Sequence, residues 1–221
     1  MTEKKVRLAC IASGSGTDFE SIAKAWKAGW IPEVEEVVLI STKEGAGCLE
    51  KADKLGIKHE IVKPTEKWLI ESELKDALIK LDGASLIFLV GCIFKVDFGL
   101  PMYNIHPADP HDHGGQGMYG LAVHEHVLNQ IYDRVRRGWR SDGNKYYTYP
   151  TVHEVTPEYD KGNPLLRGCV EIPWSIITEL IHGGGMNLKG LAERLQKYVL
   201  PYEWMLLPTA VRMAARKILE E

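Results

Sequence analysis

The sequence predicts an α/β protein with one domain, in which a mostly parallel sheet carries helices on both faces. Short apolar runs, typical of strands buried on both sides, alternate through the first half of the chain with segments of helical period. A glycine-rich turn joins the first apolar run to the first helical segment. No repeat, low-complexity tract or linker divides the chain, so one domain is the simplest organisation.

In the first half, strands and helices follow one another closely. VRLACIA (Val6–Ala12) is apolar almost throughout, and the segment after the turn places Phe19, Ile22 and Trp26 on one helical face. Gly56 is suited to end the second helix, because glycine adopts the left-handed conformation common at that position. We therefore predict further strands at Val34–Ser41, 58–62 and 84–91, and helices within 45–56 and over 66–81.

The second half is less regular. MYNIH (Met102–His106) is predicted to join the same parallel sheet, and residues 121–137 to form a helix. TYPTVHEVT and LLRGCVEIP are predicted as a pair of strands, and RGWRSDGNK as an exposed basic loop. Residues 188–219 have helical period, but Pro208 lies inside that pattern and is expected to kink or restart the helix.

The composition of the 221 residues is ordinary, with 45% hydrophobic residues, 26% charged residues and a net charge of −3. This balance gives no reason to expect nucleic acid or an anionic membrane as a partner. No apolar run suits a signal peptide or a membrane span, so we expect a cytoplasmic protein. The four cysteines are scattered and are expected to be reduced: Cys10, Cys48, Cys92 and Cys169.

The turn SGSGT, followed by Asp18, could bind an anion, because a glycine-rich loop before a helix presents free backbone N–H groups. It lacks the third glycine of a dinucleotide-binding loop, since Phe19 stands there, and it lacks a Walker lysine. The simpler interpretation is a tight turn in which Thr17 or Asp18 caps the helix. The motif alone leaves both interpretations open.

Five of the eight histidines lie within residues 102–126. Two His-x-His pairs, at 111/113 and 124/126, could converge on zinc, but neither has the spacing of a helical metal motif. The alternative is centred on Asn104 and His106, which are two residues apart on a strand and so point to one side. An amide and an imidazole together can stabilise an oxyanion and move a proton, as acyl transfer requires. Structural roles are expected for His111, His113 and His126.

Four stretches resemble the folate-dependent formyltransferases, most closely those that act on phosphoribosylglycinamide in purine synthesis. They are ASGSGTDFESI, VVLISTKEGAGCLEKADKLGI, NIHP and TVHEVTPEYDKGNP. NIHP alone is a weak motif, but NIHP followed by VHxVTxxxDxG is fairly specific. The spacing of Glu203 and Pro208 also resembles that of the family, so the likeness extends over most of the chain.

The resemblance implies a role for individual residues. Asn104 and His106 would be catalytic, and Asp160 would keep His106 protonated. The implied acceptor-binding residues are Gly14, Ser15, Gly16, Thr17 and Asp18, which would hold a phosphate, and Glu203, which would bind ribose hydroxyls. The implied folate-binding residues are Ile93, Phe94, Lys95, Val96, the histidine His153, and Lys67 as a contact of ligand carboxylates.

The resemblance also implies a Rossmann-like formyltransferase fold, with residues 1–100 as the phosphate-binding half and 101–221 as the catalytic and folate-binding half. The implied reaction is direct transfer of a formyl group from the co-substrate 10-formyltetrahydrofolate to a primary amine, first of all phosphoribosylglycinamide. Asn104 and His106 would donate hydrogen bonds to the tetrahedral intermediate, and a water near Asp160 would pass the amine's proton to the leaving nitrogen. No metal is expected, only small-molecule partners, in a monomer or homodimer.

Three alternatives remain open. The acceptor could be another amine, such as a nucleotide-linked amino sugar. The chain could be a folate- or nucleotide-binding protein without catalysis, although binding alone needs neither the Asn104–His106 pair nor Asp160. A metallohydrolase built on the histidine-rich stretch is the third alternative.

Departures from the family pattern lie on the acceptor side. After NIHP the chain continues ADPHDHGGQGMYG, which is longer and richer in histidine than the family's segment. Asp18 replaces a usual asparagine, and a like charge within about 4 Å of a phosphate would cost on the order of 1 kcal/mol or more. A basic segment around Trp139 (Arg134, Arg136, Arg137, Arg140 and Lys145) is expected to be a solvated helix end, or else to meet an anion, either the substrate phosphate or a folate polyglutamate tail.

Overall fold

The computed structural model describes residues 5–63, 66–92, 94–139, 143, 145–184 and 187–221, apart from the side chain at position 67. The strands are β1 (Val6–Ala12), β2 (Val34–Ser41), β3 (His59–Ile61), β4 (Leu86–Leu89), β5 (Met102–His106), β6 (Tyr147–Thr148), β7 (Thr151–Glu154), β8 (Pro164–Arg167) and β9 (Val170–Glu171). The helices are α1 (Thr17–Lys27), α2 (Gly47–Leu55), α3 (Ile70–Lys80), α4 (Pro110–His113), α5 (Leu121–Arg136), α6 (Trp174–His182) and α7 (Leu188–Glu220).

Within the described chain, a central sheet has the strand order β3-β2-β1-β4-β5-β7-β8. The strands from β3 to β5 are parallel, β7 runs antiparallel to them, and β8 at the edge pairs antiparallel with β7. The predicted α/β class with a mostly parallel sheet is therefore confirmed. Because β1, β4 and β5 are parallel neighbours, the loops that follow them meet at one edge of the sheet, where such folds form crevices.

The sheet is covered on both faces, as its apolar strands require. Side chains of β1 alternate between two clusters: Leu8 packs toward α1, α2 and α7, and Ile11 packs toward α3. Both are fully buried, and burial of one such side chain stabilises the fold by about 1.5–3 kcal/mol. A third cluster joins α5, α6 and the first half of α7.

Some predicted elements differ from the structure. The third helix begins at Ile70, after a 3-10 turn at Lys67–Leu69. The segment LLRGCVEIP is divided at Gly168: β8 pairs with β7, whereas β9 pairs with β6 in a separate two-stranded sheet. The backbone N–H of Gly168 donates to Pro150 O at this point, which turns the chain out of the main sheet.

Helix α7 continues through Pro208, so of the two predicted effects the restart is wrong and the kink stays a prediction. A proline removes one backbone hydrogen bond, but this helix buries an apolar stripe on either side of Pro208 that includes Val199, Leu207 and Val211. The burial of this stripe on both sides of Pro208 offsets the lost hydrogen bond. Among the described residues, no helix is both long and apolar enough to cross a bilayer.

Candidate active site

A cavity of about 760 Å³ opens at the edge where the strands β1, β4 and β5 end. Its volume falls in the usual range for small-molecule sites. Helix α7 and the loops after β7 close its sides. Of the residues singled out in the sequence as candidates for the site, it is lined by Gly14, Ser15, Gly16, Thr17, Asp18, Phe94, Lys95, Val96, Asn104, His106, His124, His153, Asp160 and Glu203.

The glycine loop between β1 and α1 is shaped by its contact with α2. Gly16 has φ +72°, and a Cβ atom there would lie 2.4 Å from the Cα atom of Cys48. Glycine suits this position, because the left-handed conformation is strained for other residues and the close approach leaves no room for a Cβ atom. Helix α1 begins after Gly16 with no side-chain cap in the described structure, so the predicted capping by Thr17 or Asp18 is wrong.

Two buried carboxyl groups, those of Asp18 and Glu203, meet at the end of the cavity next to the glycine loop. Burial raises the pKa of Asp18 to about 6, partly offset by the indole of Trp204. Burial, and then the charge of Asp18, raise the pKa of Glu203 well above its usual value. Asp18 Oδ1 and Trp204 Nε1 make no hydrogen bond of normal geometry with any described residue. This end of the cavity is therefore a poor place for two negative charges.

Asn104 lies opposite His153 across the β5–β7 pair. The Asn104 amide nitrogen is 3.3 Å from His153 Nε2, and His153 Nδ1 is 2.9 Å from the carbonyl oxygen of Glu154. A carbonyl only accepts, so Nδ1 carries the proton and Nε2 accepts from the amide. Burial lowers the pKa of His153, which agrees with this neutral form. One amide proton of Asn104 is thereby held by His153, and the second is available to the cavity.

His106 is 2% exposed at the end of β5. Its Nε2 lies 3.1 Å from the carbonyl oxygen of His113, so Nε2 donates. Its Nδ1 lies 4.0 Å from Oδ2 of Asp160, too far for a hydrogen bond. Burial lowers the pKa of His106, and the charge of Asp160 opposes this only in part. This direction is opposite to the one expected if Asp160 kept His106 protonated in the free protein.

Asp160 lies between the two imidazoles. Its Oδ1 is 3.6 Å from His153 Nε2, and its Oδ2 accepts from the backbone N–H of Gly115 at 2.9 Å. Asp160 adopts φ +55°, in the left-handed region that aspartate tolerates better than most residues. That conformation turns the carboxylate back toward β5. The structure thus brings Asn104, His106, His153 and Asp160 into one wall of the cavity.

Comparison with known proteins finds similar sequences among the phosphoribosylglycinamide formyltransferases. The chain is 31% identical over 179 residues to the chloroplast phosphoribosylglycinamide formyltransferase of Arabidopsis thaliana, with 76% of this chain and 56% of the relative covered. The corresponding protein of Vigna unguiculata is 29% identical over 181 residues, with coverages of 78% and 53%. The chain spans about half the length of these curated relatives. No family model matches it.

Solved structures extend the likeness to nearly the whole chain. Glycinamide ribonucleotide transformylase 1 from Geobacillus kaustophilus superposes with a TM-score of 0.68 at 26% identity, covering 95% of this chain and 98% of that one. The transformylase 1 from Symbiobacterium toebii has a TM-score of 0.70 at 23% identity, with coverages of 97% and 89%, and shows the shared fold. The chain is therefore similar to the phosphoribosylglycinamide formyltransferases, in sequence over about three quarters of its length and in fold over nearly all of it.

The segment predicted to line the family's folate pocket is only partly described. Phe94, Lys95 and Val96 line the cavity, and Lys95 Nζ lies 5.3 Å from the ring centre of Tyr159. Ile93 and the side chain of Lys67 lie outside the described residues, so their assignments stay predictions. Sequence analysis missed several apolar and aromatic residues of the cavity wall: Leu89, Val90, Met118, Tyr119, Val155, Tyr159 and Leu200.

The remaining histidines separate into different environments. His111 is exposed and lies outside the cavity lining, whereas His113 contacts His126 through their Nδ1 atoms at 3.3 Å. His124 lines the cavity, is fully buried, and has no hydrogen-bond partner for either ring nitrogen in the described chain. Burial lowers its pKa to about 4. Within the described parts of the chain, no cluster of histidine, cysteine and acidic side chains is arranged to hold a metal.

The basic segment lies at the far end of α5 from His124. Arg134 and Arg136 pack over the rings of Trp139 and Tyr132, and neither lines the cavity. Lys145 forms an exposed ion pair with Glu171. Arg140 lies outside the described residues. The described part of this segment therefore fits the prediction of a solvated helix end, and the alternative that it meets a ligand anion stays a prediction.

Proposed function

We propose that this chain transfers a formyl group from 10-formyltetrahydrofolate to a primary amine, with phosphoribosylglycinamide as the first candidate acceptor. The observation that supports this most is the grouping of Asn104, His106 and Asp160 in one wall of a ligand-sized cavity. The relatives named as phosphoribosylglycinamide formyltransferases support the same activity. The assignment of roles to individual residues is part of the proposal.

In the proposed reaction the acceptor's amine nitrogen forms a bond to the formyl carbon, and the bond from that carbon to the folate nitrogen breaks. In this reaction the amide proton of Asn104 that is not bonded to His153 donates to the formyl oxygen as that oxygen gains negative charge. His106 can donate there only when Nδ1 is also protonated, because Nε2 is already bonded to His113 O. The proton lost by the amine passes by way of Asp160 to the leaving nitrogen, so no net proton is consumed.

The cavity walls suit the co-substrate's flat heteroaromatic ring. Val90, Phe94 and Val96 line the cavity with apolar side chains after β4. Lys95 supplies a cation beside Tyr159, where a ligand carboxylate could be met. Apolar walls with a few polar groups at one point are typical of sites that orient a heteroaromatic ligand.

One observation favours a second candidate acceptor. A phosphate at the glycine loop would meet the backbone N–H groups before α1, but also Asp18 and Glu203. Two buried acids disfavour a dianion unless they take up protons. An amine that places hydroxyl groups at this end would avoid the repulsion. The alternative is therefore formyl transfer to another amine, such as a nucleotide-linked amino sugar bound in a different orientation.

A transfer assay with a panel of acceptors tests the proposal. Purified protein is mixed with 10-formyltetrahydrofolate and, in separate reactions, phosphoribosylglycinamide, a nucleotide-linked amino sugar, or no amine, and release of tetrahydrofolate is followed. We expect release that depends on one of the amines and is lost in Asn104→Ala. The control is Asn129→Ala, an exposed position on α5. Binding of the folate without release in the presence of any amine would favour a non-catalytic homologue.

A further inference from the structure

The segment 113–115, which we name the backbone clamp, contacts both His106 and Asp160. The carbonyl oxygen of His113 accepts from His106 Nε2 at 3.1 Å, and the N–H of Gly115 donates to Asp160 Oδ2 at 2.9 Å. The imidazole and the carboxylate are themselves 4.0 Å apart. Their relative position is therefore held through the backbone clamp and not by a direct hydrogen bond.

Gly114 is the centre of the backbone clamp, and no side chain fits there. A Cβ atom would lie 2.3 Å from the carbonyl oxygen of Pro110 and 2.6 Å from Asp160 Cβ. Its φ of −98° and ψ of −178° are open to any residue, so the requirement for glycine is steric and not conformational. The close approach of Gly114 to Asp160 is what allows the neighbouring N–H to reach the carboxylate.

A hydrogen-bonded chain of side chains secures the clamp to α5. Gln130 Nε2 lies 3.3 Å from His126 Nε2, and His126 Nδ1 lies 3.3 Å from His113 Nδ1. An amide nitrogen only donates, so His126 accepts at Nε2 and carries its proton on Nδ1. His113 Nδ1 must then accept, which requires His113 to be neutral. Burial and the neighbouring His126 lower the pKa of His113 to about 4, in agreement with this assignment.

The other end of the short helix α4 is also fixed. Asp109 accepts from the backbone N–H of His111 at 3.0 Å, and Pro110 occupies the first turn. Asp109 also forms an ion pair with Arg167 on β8. The clamp thus follows a helix that is held to the sheet at its start and to α5 at its end. It lies in the stretch ADPHDHGGQGMYG, where the sequence departs from the family it resembles.

We propose that Gly114 and the His113–His126 pair are positioning residues, which fix the proton of His106 on Nε2 and the carboxylate of Asp160 beside Nδ1. This inference rests on the proposed function for its effect on turnover, but its effect on the tautomer of His106 does not. With Nε2 committed to the carbonyl, Nδ1 is the nitrogen that exchanges a proton with the reacting atoms. The histidine-rich stretch acts here through the backbone of residues 113–115 and the paired side chains of His113 and His126.

The test uses variants at position 126. His126→Leu removes the donor to His113, whereas His126→Asn places an amide N–H where Nδ1–H was and should restore it. In protein labelled with ¹⁵N-histidine, we expect wild type and His126→Asn to show His106 protonated at Nε2 at neutral pH. We expect His126→Leu to show a mixture of tautomers, about tenfold lower kcat, a KM for the folate within about twofold, and an altered pH profile of kcat.

Gly114→Ala should lower kcat further, because the added methyl group displaces Asp160 itself. Thermal unfolding of each variant distinguishes loss of the fold from displacement of His106 and Asp160 in a folded protein. Asn129→Ala serves as the control on α5. The proposal is overturned if folded His126→Leu keeps the His106 nitrogen shifts and the pH profile of wild type, or if wild type carries the His106 proton on Nδ1. If wild type transfers no formyl group, the nitrogen shifts still decide between these outcomes.

Discussion

His106 and Asp160 face each other across 4.0 Å, from Nδ1 to Oδ2, at the mouth of the parallel sheet. The distance is too long for a hydrogen bond but short enough for the carboxylate to raise the pKa of the imidazole against the effect of burial. A group that enters this gap, whether a water molecule or an amine, could bond to both. We therefore expect Asp160 to raise the pKa of His106 most when a ligand fills the cavity.

Asp160→Asn tests this relationship. Asparagine carries no charge, so the pKa of His106 should fall further under the effect of burial. Asparagine also cannot accept the proton of the amine. Because a positioned acid–base group contributes on the order of 10²–10⁴-fold, we expect kcat to fall by about that factor. Binding of the folate co-substrate, measured by titration, should change little. Unchanged turnover would remove Asp160 from the proposed mechanism.

Asp18→Asn should stabilise the protein at neutral pH. The pKa of Asp18 is about 6, raised from 3.8. A carboxyl group with a raised pKa favours the folded state below pH 4, and that contribution is lost as the pH rises through 6. A difference of about two pH units corresponds to about 3 kcal/mol at most. Urea unfolding at pH 4 and pH 7.5 measures it, with the exposed Asp76→Asn as control. An equal effect of Asp18→Asn at both pH values would contradict the account.

The same substitution separates the two candidate acceptors. If a phosphate binds at the glycine loop, Asp18→Asn removes a like charge and should tighten binding of phosphoribosylglycinamide by roughly fivefold or more, at about 1 kcal/mol per neighbouring charge. Titration calorimetry with wild type and variant measures this. Weaker or unchanged binding would mean that the loop does not hold the acceptor's phosphate in this protein.

His124 should make the protein sensitive to acid. Its pKa is lowered to about 4 by burial, from an ordinary value of 6.5. A histidine with a lowered pKa takes up a proton more readily in the unfolded state. The free energy of unfolding is therefore highest above pH 6.5 and falls as the pH drops toward 4. His124→Phe should therefore reduce the loss of unfolding free energy between pH 7 and pH 4.5 by roughly 2 kcal/mol. The matched control is His182→Phe, outside the cavity lining. An unaltered pH dependence in His124→Phe would exclude this role.

Gly16→Ala should destabilise the protein, because the new methyl group meets the backbone of Cys48 and the left-handed conformation is strained for alanine. Each effect costs on the order of 1 kcal/mol or more, so we expect a loss of about 2–4 kcal/mol in urea unfolding. Gly14→Ala is the matched control in the same loop, since a Cβ there meets nothing within 4 Å. Equal stability of the two variants would show that the loop does not depend on its contact with α2.

The sheet and part of the site could be predicted because their signals are local. Strands buried on both faces require continuous apolar runs, so β1 and β2 could be predicted from the sequence. The two-residue period of a strand predicted that Asn104 and His106 point to one side. The pairing of Asp18 with Glu203 depends on tertiary packing, which no local pattern encodes. The contact between His106 and His113 uses the backbone carbonyl of His113. Because every residue has such a carbonyl, the residue types along the sequence do not indicate this contact. The missing cap of α1 follows from the close packing of Gly16 against Cys48.

The most direct measurement follows a ¹³C-labelled formyl group by NMR, from 10-formyltetrahydrofolate to phosphoribosylglycinamide or another amine. We predict that wild type and His182→Ala move the label from the folate to the amine. In His106→Ala the rate of this transfer should be at least about a hundredfold lower, so the label stays on the folate. Transfer by His106→Ala at the wild-type rate would contradict the central claim that the group formed by Asn104, His106 and Asp160 carries out the reaction.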